Sequence, residues 1–386
     1  MTVLASLRLL RLEAALTAMV ISMPVMNLFF ASIGMDQGQI GLSQSLFMAA
    51  LLMLNVPNGW LADRFSHKWA NFLGDAICAV GFAAYAMAQS FAWVVGAEII
   101  IGIGMSLSQG ADDALLVAYA RSLKRSLRGE QSYIQLLRPL AEAGAVLLGG
   151  VIGSYDIRLT LAVAAVPYAL GALVSLFMID ASPRLERQHR NPFKDMAIAV
   201  TTLFKGNPKL TWYVIASAVA RESTHPLVWV LTPILLLVGV PVAWMGVAWA
   251  TNMVLVMFGA WLAGRVSDMI PPWLRFALPM AVVLLTCTLL AVHVGVATVL
   301  LYGSLGVVRG WVSVTMPVLV FESAPAHSQA TVSSVAKSFS GLLYIPLAWV
   351  INAAGTNNIQ GSFLLTVVMF APACGLVTWQ LWKRRE

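Results

Sequence analysis

The chain has 386 residues, 59% of them apolar and 11% charged, with a mean hydropathy of +0.81; a soluble domain is about 45–50% apolar and about 25% charged, so a water-soluble globule is excluded. A net charge of +7 and a pI near 9.5 could suit a nucleic-acid binder, but the placement of the basic residues excludes that as well. With the N-terminus cytoplasmic, nineteen of the 24 lysines and arginines fall in or beside cytoplasmic segments, Arg158 alone lies outside, and Arg138, Arg221, Arg309 and Lys337 stand inside apolar runs, which is the positive-inside pattern of a membrane protein meeting anionic headgroups.

A hydrocarbon core of roughly 30 Å needs about 20 mostly apolar residues per crossing helix, and the sequence accommodates twelve such spans. Span 1 (about 14–33) is uncharged, carries Asn27 in its outer half and is too long for a signal-peptide core. Span 2 (about 41–62) delivers the polar turn Gly59-Trp60-Leu61-Ala62-Asp63-Arg64-Phe65-Ser66-His67-Lys68 to the cytoplasm. Span 3 (about 69–88) holds Gly74 and Asp75 near its start, Asp75 reading as a packing polar group. Span 4 (about 91–120) carries Glu98 in its outer third and Asp112-Asp113 about 21 Å further along, at 1.5 Å per residue. Span 5 (about 132–153) contains Arg138, Pro139, Glu142 and the small-residue face Gly149-x-x-x-Gly153; span 6 (about 159–179) closes the first half.

Residues 181–209 are polar, basic and interrupted by Pro183, Pro192 and Pro208, the composition of a cytoplasmic linker. They divide an N-terminal six-helix bundle (1–180) from a C-terminal one (210–386). Span 7 (about 210–238) is broken by Arg221-Glu222-Ser223-Thr224-His225-Pro226, a polar run that no lipid-facing helix tolerates. Span 8 (about 242–264) carries Asn252 and leads to Gly264-Arg265-Val266-Ser267-Asp268, a second Gly-x-x-x-Asp standing 205 residues after the first. Spans 9 (about 275–293), 10 (about 297–321, with Arg309-Gly310 and Pro317), 11 (about 331–354) and 12 (about 361–382) follow, and Trp60, Trp69, Trp244, Trp273 and Trp382 stand near span ends as interfacial anchors. The same loop at the same place in both halves reads as a tandem duplication, two pseudo-symmetric bundles of an all-α integral membrane protein with both termini cytoplasmic.

Charges inside a bilayer cost about 2.5–3.5 kcal/mol each on insertion scales, so the intramembrane ions have partners or line water. Asp112 or Asp113 matches Arg138 in depth, and a structural pair, written Arg138–Asp113, is expected; Glu142 is one turn beyond Arg138. Arg221, Glu222 and Arg309, with Asn27 and Asn252, are the candidate substrate-binding residues. Glu222, Glu98, Asp112, Asp113 and Glu142 are the candidate proton-coupling carboxylates, Glu222 first because it stands beside Arg221 in an interrupted helix. Cys78, Cys287 and Cys374 lie far apart in apolar runs, with neither a disulfide framework nor metal-ligand spacing. No nucleophile–base arrangement, metal cluster or P-loop is seen, so the reading is of a non-enzyme with no catalytic residue, metal or cofactor.

The first loop, matching at Gly59, Leu61, Asp63, Arg64 and Lys68 with Ser66 where a second glycine is usual, and the weaker copy at Gly264 and Asp268 resemble the signature of the major facilitator superfamily of secondary transporters, and the resemblance covers the whole chain. It implies a cytoplasmic lock in which the aspartate, packed against a helix N-terminus and basic groups, holds the halves together, and a gating role for Gly59, Asp63, Arg64, Lys68, Gly264 and Asp268. It also implies alternating access to one central site facing helices 7 and 10. Helix 4 departs from the proton-driven efflux pattern, with Glu98 where an arginine is usual, and helix 5 has Val146 in the place of a proline. The expectation is a monomeric, multi-pass transporter of the bacterial cytoplasmic membrane, proton-coupled and moving a small anionic or zwitterionic organic solute. The alternatives are a proton-driven multidrug efflux pump for lipophilic cations and a non-transporting sensor.

Overall fold

The computed structural model describes residues 2–64, 66–180, 207–324 and 329–384, so the expected linker lies almost wholly outside the described residues. Among these, fourteen α-helices and no strand are found: α1 Val3–Thr17, α2 Met26–Ser32, α3 Gln37–Arg64, α4 His67–Met87, α5 Phe91–Ser122, α6 Leu127–Tyr155, α7 Ile157–Leu176, α8 Pro208–Glu222, α9 Leu231–Leu237, α10 Val242–Val266, α11 Pro272–Val292, α12 Val296–Ser323, α13 Gln329–Ala354 and α14 Gln360–Lys383. Nine of them, α4–α7 and α10–α14, contain stretches long and apolar enough to cross a membrane. At most half of each such stretch is buried inside the protein; the remainder, with Val80, Leu136, Leu285 and Leu300 each more than 60% exposed, is apolar surface of the kind that lipid covers.

Local chemistry sets the helix starts. Side-chain oxygens of Ser66, Ser90, Asp156 and Asn207 accept from the amides of Trp69, Trp93, Arg158 and Lys209, satisfying N–H groups that have no partner in the first turn. The starts also recur: α1 and α8 begin at 3 and 208, α3 and α10 at 37 and 242, α4 and α11 at 67 and 272, α5 and α12 at 91 and 296. Each pair differs by 205, the separation of Gly59 from Gly264.

The first span departs from expectation. The helix itself begins well before residue 14: α1 starts at Val3, capped by Thr2 Oγ1 accepting from the Ala5 amide at 3.2 Å, and so carries Arg8, Arg11 and Glu13. It stops at Thr17, and a 3-10 turn at Met23–Val25 leads into α2. Pro24, which lacks an N–H and whose ring crowds the Val20 carbonyl, keeps a regular helix from running through this stretch and opens the 3-10 turn. Span 7 breaks in the same way, between α8 and the 3-10 turn Pro226–Val230.

The chain forms two compact units. The first comprises Met1–Met35, Leu46–His189 and Pro241–Met253. Its core joins α1, α5, α6 and the residues just after α7 through Leu7, Leu10, Leu115, Tyr119, Ile134 and Met178, with Tyr119 Oη donating to the Ile179 carbonyl at 2.5 Å. Arg11 pairs with Glu130 of α6 and lies 4.3 Å from the Tyr133 ring centroid, and Arg125 reaches Glu130 at 3.1 Å. Helices α4 and α5 approach backbone to backbone: a Cβ on Gly74 would sit 2.7 Å from the Gly104 carbonyl oxygen, and one on Gly104 would sit 2.6 Å from both Cys78 Sγ and the Gly74 carbonyl oxygen. Within the same unit the first turns of α10 meet α6 at Gly246 and Gly150.

The second unit comprises Asp36–Ser45, Arg190–Val240 and Val254–Glu386. Phe276, Cys287, Leu227, Ile234 and Phe363 are fully buried in it. The opening turns of α3 pack here, where Gln37 Nε2 donates to Asn352 Oδ1 at 2.9 Å and to the Trp229 carbonyl at 3.0 Å, and Ser45 Oγ donates to the Ile345 carbonyl at 2.6 Å.

Candidate functional site

In the second unit, α8 ends at Glu222 because Pro226 has no N–H to offer the Glu222 carbonyl, and the chain turns through Ser223–His225 with the His225 amide donating to the Arg221 carbonyl at 3.1 Å. The turn leaves the Glu222 side chain 1% exposed yet fully partnered. Ser340 of α13 donates to Oε1 at 2.5 Å, His225 Nδ1 lies 3.3 Å from Oε2, and Arg221 Nε lies 3.5 Å from Oε1. Arg221 itself is half exposed. His225 lies against Tyr344, ring centroids 4.3 Å apart, and Trp229 Nε1 donates to the Tyr344 hydroxyl at 3.3 Å. Arg309 of α12 is part-buried and, with Arg221, is a cation whose charge reaches His225. A sealed carboxylate, a half-exposed guanidinium and an aromatic wall converge on a helix break, an arrangement able to bind an organic ion at its cationic rim.

The first unit holds a second polar group. Glu13 of α1 is 0% exposed and Asp75 of α4 is 1% exposed. Asp112 of α5 pairs with Arg138 of α6, Oδ2 to Nη2 at 3.5 Å. The Glu13 carboxyl faces both Asp75 and Asp112, and Thr17 Oγ1 donates to its Oε1 at 3.4 Å. The pair expected as Arg138–Asp113 is therefore made by Asp112, because adjacent residues on a helix point about 100° apart and Asp113 is exposed. Sequence reasoning missed Glu13, which it placed outside the first span, and left Asp75 as packing.

The other expected residues are dispersed. Asn27 and Asn252 are buried in the first unit, whereas Arg221, Glu222 and Arg309 belong to the second. Glu98 is buried and its charge reaches Tyr85; Glu142 is part-buried on α6, and its charge reaches Tyr168. At the first motif α3 runs on to Arg64, but the side chains of Asp63 and Arg64, together with the surroundings of Gly59, lie outside the described residues. Lys68 Nζ is 5.8 Å from the Trp69 ring centroid, and Ser66 Oγ, besides capping α4, donates to Asp180 Oδ2 at 2.5 Å. At the second copy Gly264 is exposed, and Asp268, 90% exposed, lies 3.5 Å from Arg275 Nη1. Among the described residues no group of His, Cys, Asp and Glu could hold a metal ion.

A family model described as Major Facilitator Superfamily matches residues 14–348. The "Multidrug resistance protein MdtH" of Aeromonas hydrophila subsp. hydrophila is 31% identical over 163 residues, 41% of this chain and 40% of that protein. Its counterpart from Aeromonas salmonicida is 32% identical over 161 residues, 41% and 39%. The matched stretch thus spans about two fifths of those relatives. Among solved structures, a bacterial homolog of the human lysosomal transporter Spinster, inward-facing and unoccupied, superposes with a TM-score of 0.79 at 15% identity over 99% of this chain and 98% of that one. The nucleoside transporter NupG gives 0.75 at 13% over 99% of each chain, and a D-xylose-proton symporter 0.75 at 12% over 97% of each. At these identities the superpositions show the fold.

Proposed function

The chain belongs to the major facilitator superfamily, and from that premise we propose that it is a secondary active transporter, proton-coupled and working by alternating access, that moves a small anionic or zwitterionic organic solute across the bacterial cytoplasmic membrane. The observation that carries the reading is the half-exposed guanidinium of Arg221 at the α8 break, beside an aromatic wall of His225 and Tyr344, with Arg309 a second cation whose charge reaches His225. Arginine stays protonated and offers a planar fork that matches a carboxylate, while Ser340 and His225 fix the Glu222 carboxylate that steadies Arg221.

The 205-residue recurrence of helix starts supports two pseudo-symmetric bundles, 1–180 and 210–386, joined by a cytoplasmic linker at 181–209. Alternation then has to release the seats that Gln37 takes on Asn352 and Gly246 on Gly150, while the loops at Gly59–Lys68 and Gly264–Asp268 act as the opposite latch. The energy comes from a proton taken up by one of the intramembrane carboxylates, with Glu222, Glu98, Asp112, Asp113 and Glu142 as the candidates, and the chain works as a monomer.

A second reading, proton-driven efflux of lipophilic cations, is favoured by the stretch shared with the multidrug resistance proteins. A panel of labelled carboxylates, amino acids and permeant cations offered to proteoliposomes, with and without an imposed pH gradient, separates the two: carboxylates or zwitterions accumulate on the first reading and cations such as ethidium on the second. Movement of neither above empty liposomes overturns both.

A further inference from the structure

Two groups of buried carboxylates differ in how their oxygens are satisfied. Glu222 has a donor or cation within 3.5 Å of each oxygen. Glu13 Oε2, Asp75 Oδ2 and Asp112 Oδ1 are buried with no donor at all, although the Glu13 carboxyl faces the other two. Ionised carboxylates only accept, so facing acceptors repel; a carboxylic acid donates, and one proton turns such a contact into a hydrogen bond.

The charge balance points the same way. Three carboxylates face one guanidinium, Arg138, 3.5 Å from Asp112, and the further charges nearby, Asp113 of α5 and Glu142 of α6, are also negative. Among the described residues, the other titratable groups whose charge is felt at the cluster, Cys78 of α4 and Tyr168 of α7, carry no positive charge; α1 packs against α5, α6 and α7, and the cation whose charge reaches Glu13 is Arg138. An excess of buried negative charge at this depth is far costlier than a neutral acid.

A separate polar side chain lies close to the cluster. Asn71 is 0% exposed and both its Nδ2 and its Oδ1 lack a partner; it stands one helical turn before Asp75, on the same face of α4. Buried amides are ordinarily satisfied by protein or water. The cluster is also graded in access, since Glu13 and Asp75 are sealed while Asp112 is 13% and Arg138 40% exposed.

We propose that Glu13, Asp75 and Asp112 form one proton-binding site, with Arg138 as its single counter-ion, and that this cluster holds the proton that drives transport. The second half rests on the transport reading and names, within it, where the driving proton sits. The proton belongs to the cluster rather than to one residue, because carboxyls this closely coupled titrate together. Water reaches the cluster along the Asp112–Arg138 edge, and breaking that ion pair frees Arg138 to change the affinity of the cluster for its proton.

The test reads the proton directly. The full chain in lipid nanodiscs is titrated while the infrared C=O stretch of protonated carboxyls is recorded. The wild type should keep such a band well above pH 4–5, where exposed carboxylates ionise (about 3.9 for Asp and 4.3 for Glu). Glu13→Gln and Asp75→Asn should each remove or diminish it, and exposed Glu322→Gln should leave it unchanged. Arg138→Gln, which removes the counter-ion, should carry the band to higher pH; this arm decides the matter where the acid variants fail to fold as judged by melting and monodispersity. A band that vanishes together with the exposed carboxylates, or that is indifferent to Glu13, Asp75 and Arg138, overturns the site. In proteoliposomes Glu13→Gln should lose gradient-driven accumulation while retaining substrate counterflow. Wild-type accumulation by that variant overturns the coupling role even where the band is lost. A wild type that shows the band but moves no solute keeps the site and overturns the transport reading instead.

Discussion

Replacing Arg221 with Gln tests the cationic rim with little risk to the fold. In the folded chain Arg221 contributes one 3.5 Å contact to Glu222, which keeps Ser340 and His225 when the guanidinium is gone; an ion pair whose cation is 52% exposed is worth roughly 0–1 kcal/mol to stability. Toward a bound carboxylate the loss is larger. A hydrogen bond to a charged group contributes about 1.5–3 kcal/mol, and water at the exposed guanidinium places it at the lower end, about 1.5 kcal/mol, or roughly 10-fold in Kd. The assay is the concentration dependence of counterflow with the anionic solute that the uptake panel selects. Arg158→Gln is the comparison, because Arg158 donates to the Ala86 carbonyl at 2.9 Å and lies over Phe29 in the other unit. Unchanged half-saturation in Arg221→Gln, or an equal loss in Arg158→Gln, refutes the assignment of the rim.

Three further substitutions probe the scaffold and the latch. Ser340→Ala removes the 2.5 Å donor from a sealed carboxylate and should cost about 1–3 kcal/mol, read as a lower melting temperature; an unchanged melt would mean the bond adds nothing. Gly104→Ala forces a Cβ to 2.6 Å from the Gly74 carbonyl oxygen and should destabilise by about 1–3 kcal/mol, whereas Gly110→Ala, with nothing within 4 Å, should be silent; equal melting of the two variants contradicts the close approach of α4 and α5. Asp63→Asn should leave expression and insertion intact while lowering turnover, and a variant with wild-type turnover removes the loop from the mechanism.

Much of the architecture could be read from hydropathy alone because most spans carry their polar residues at the ends, where caps such as Ser90 and Asp156 place the first turn. The break at Pro226 was visible because five polar residues precede it, and the structure puts the end of α8 there. The break near Pro24 was hidden because its neighbours, Ile21 to Val25, are apolar save for Ser22, and a hydropathy window sees no interruption. Glu13 was hidden for the converse reason: an acid next to an apolar run looks like the edge of a span, and only the packing of α1 against α5, α6 and α7 shows it to be sealed. Depth matching along helices brought Arg138 to the right pair of aspartates, but the choice of Asp112 over Asp113 depends on helix rotation, which spacing from the loop does not fix. Arg221 and Glu222 were legible as neighbours; Ser340, which donates to Glu222, and Tyr344, which packs on His225, come from a helix more than 100 residues away and carry no signal in sequence.

The central claim, solute movement driven by a proton gradient, is tested most directly by imposing a pH difference across proteoliposomes that contain the wild-type chain and following a labelled organic anion. The account predicts accumulation above equilibrium for one orientation of the gradient and collapse of that accumulation when a protonophore is added. Flux that merely equilibrates the solute, at the same rate with or without the gradient, would contradict it.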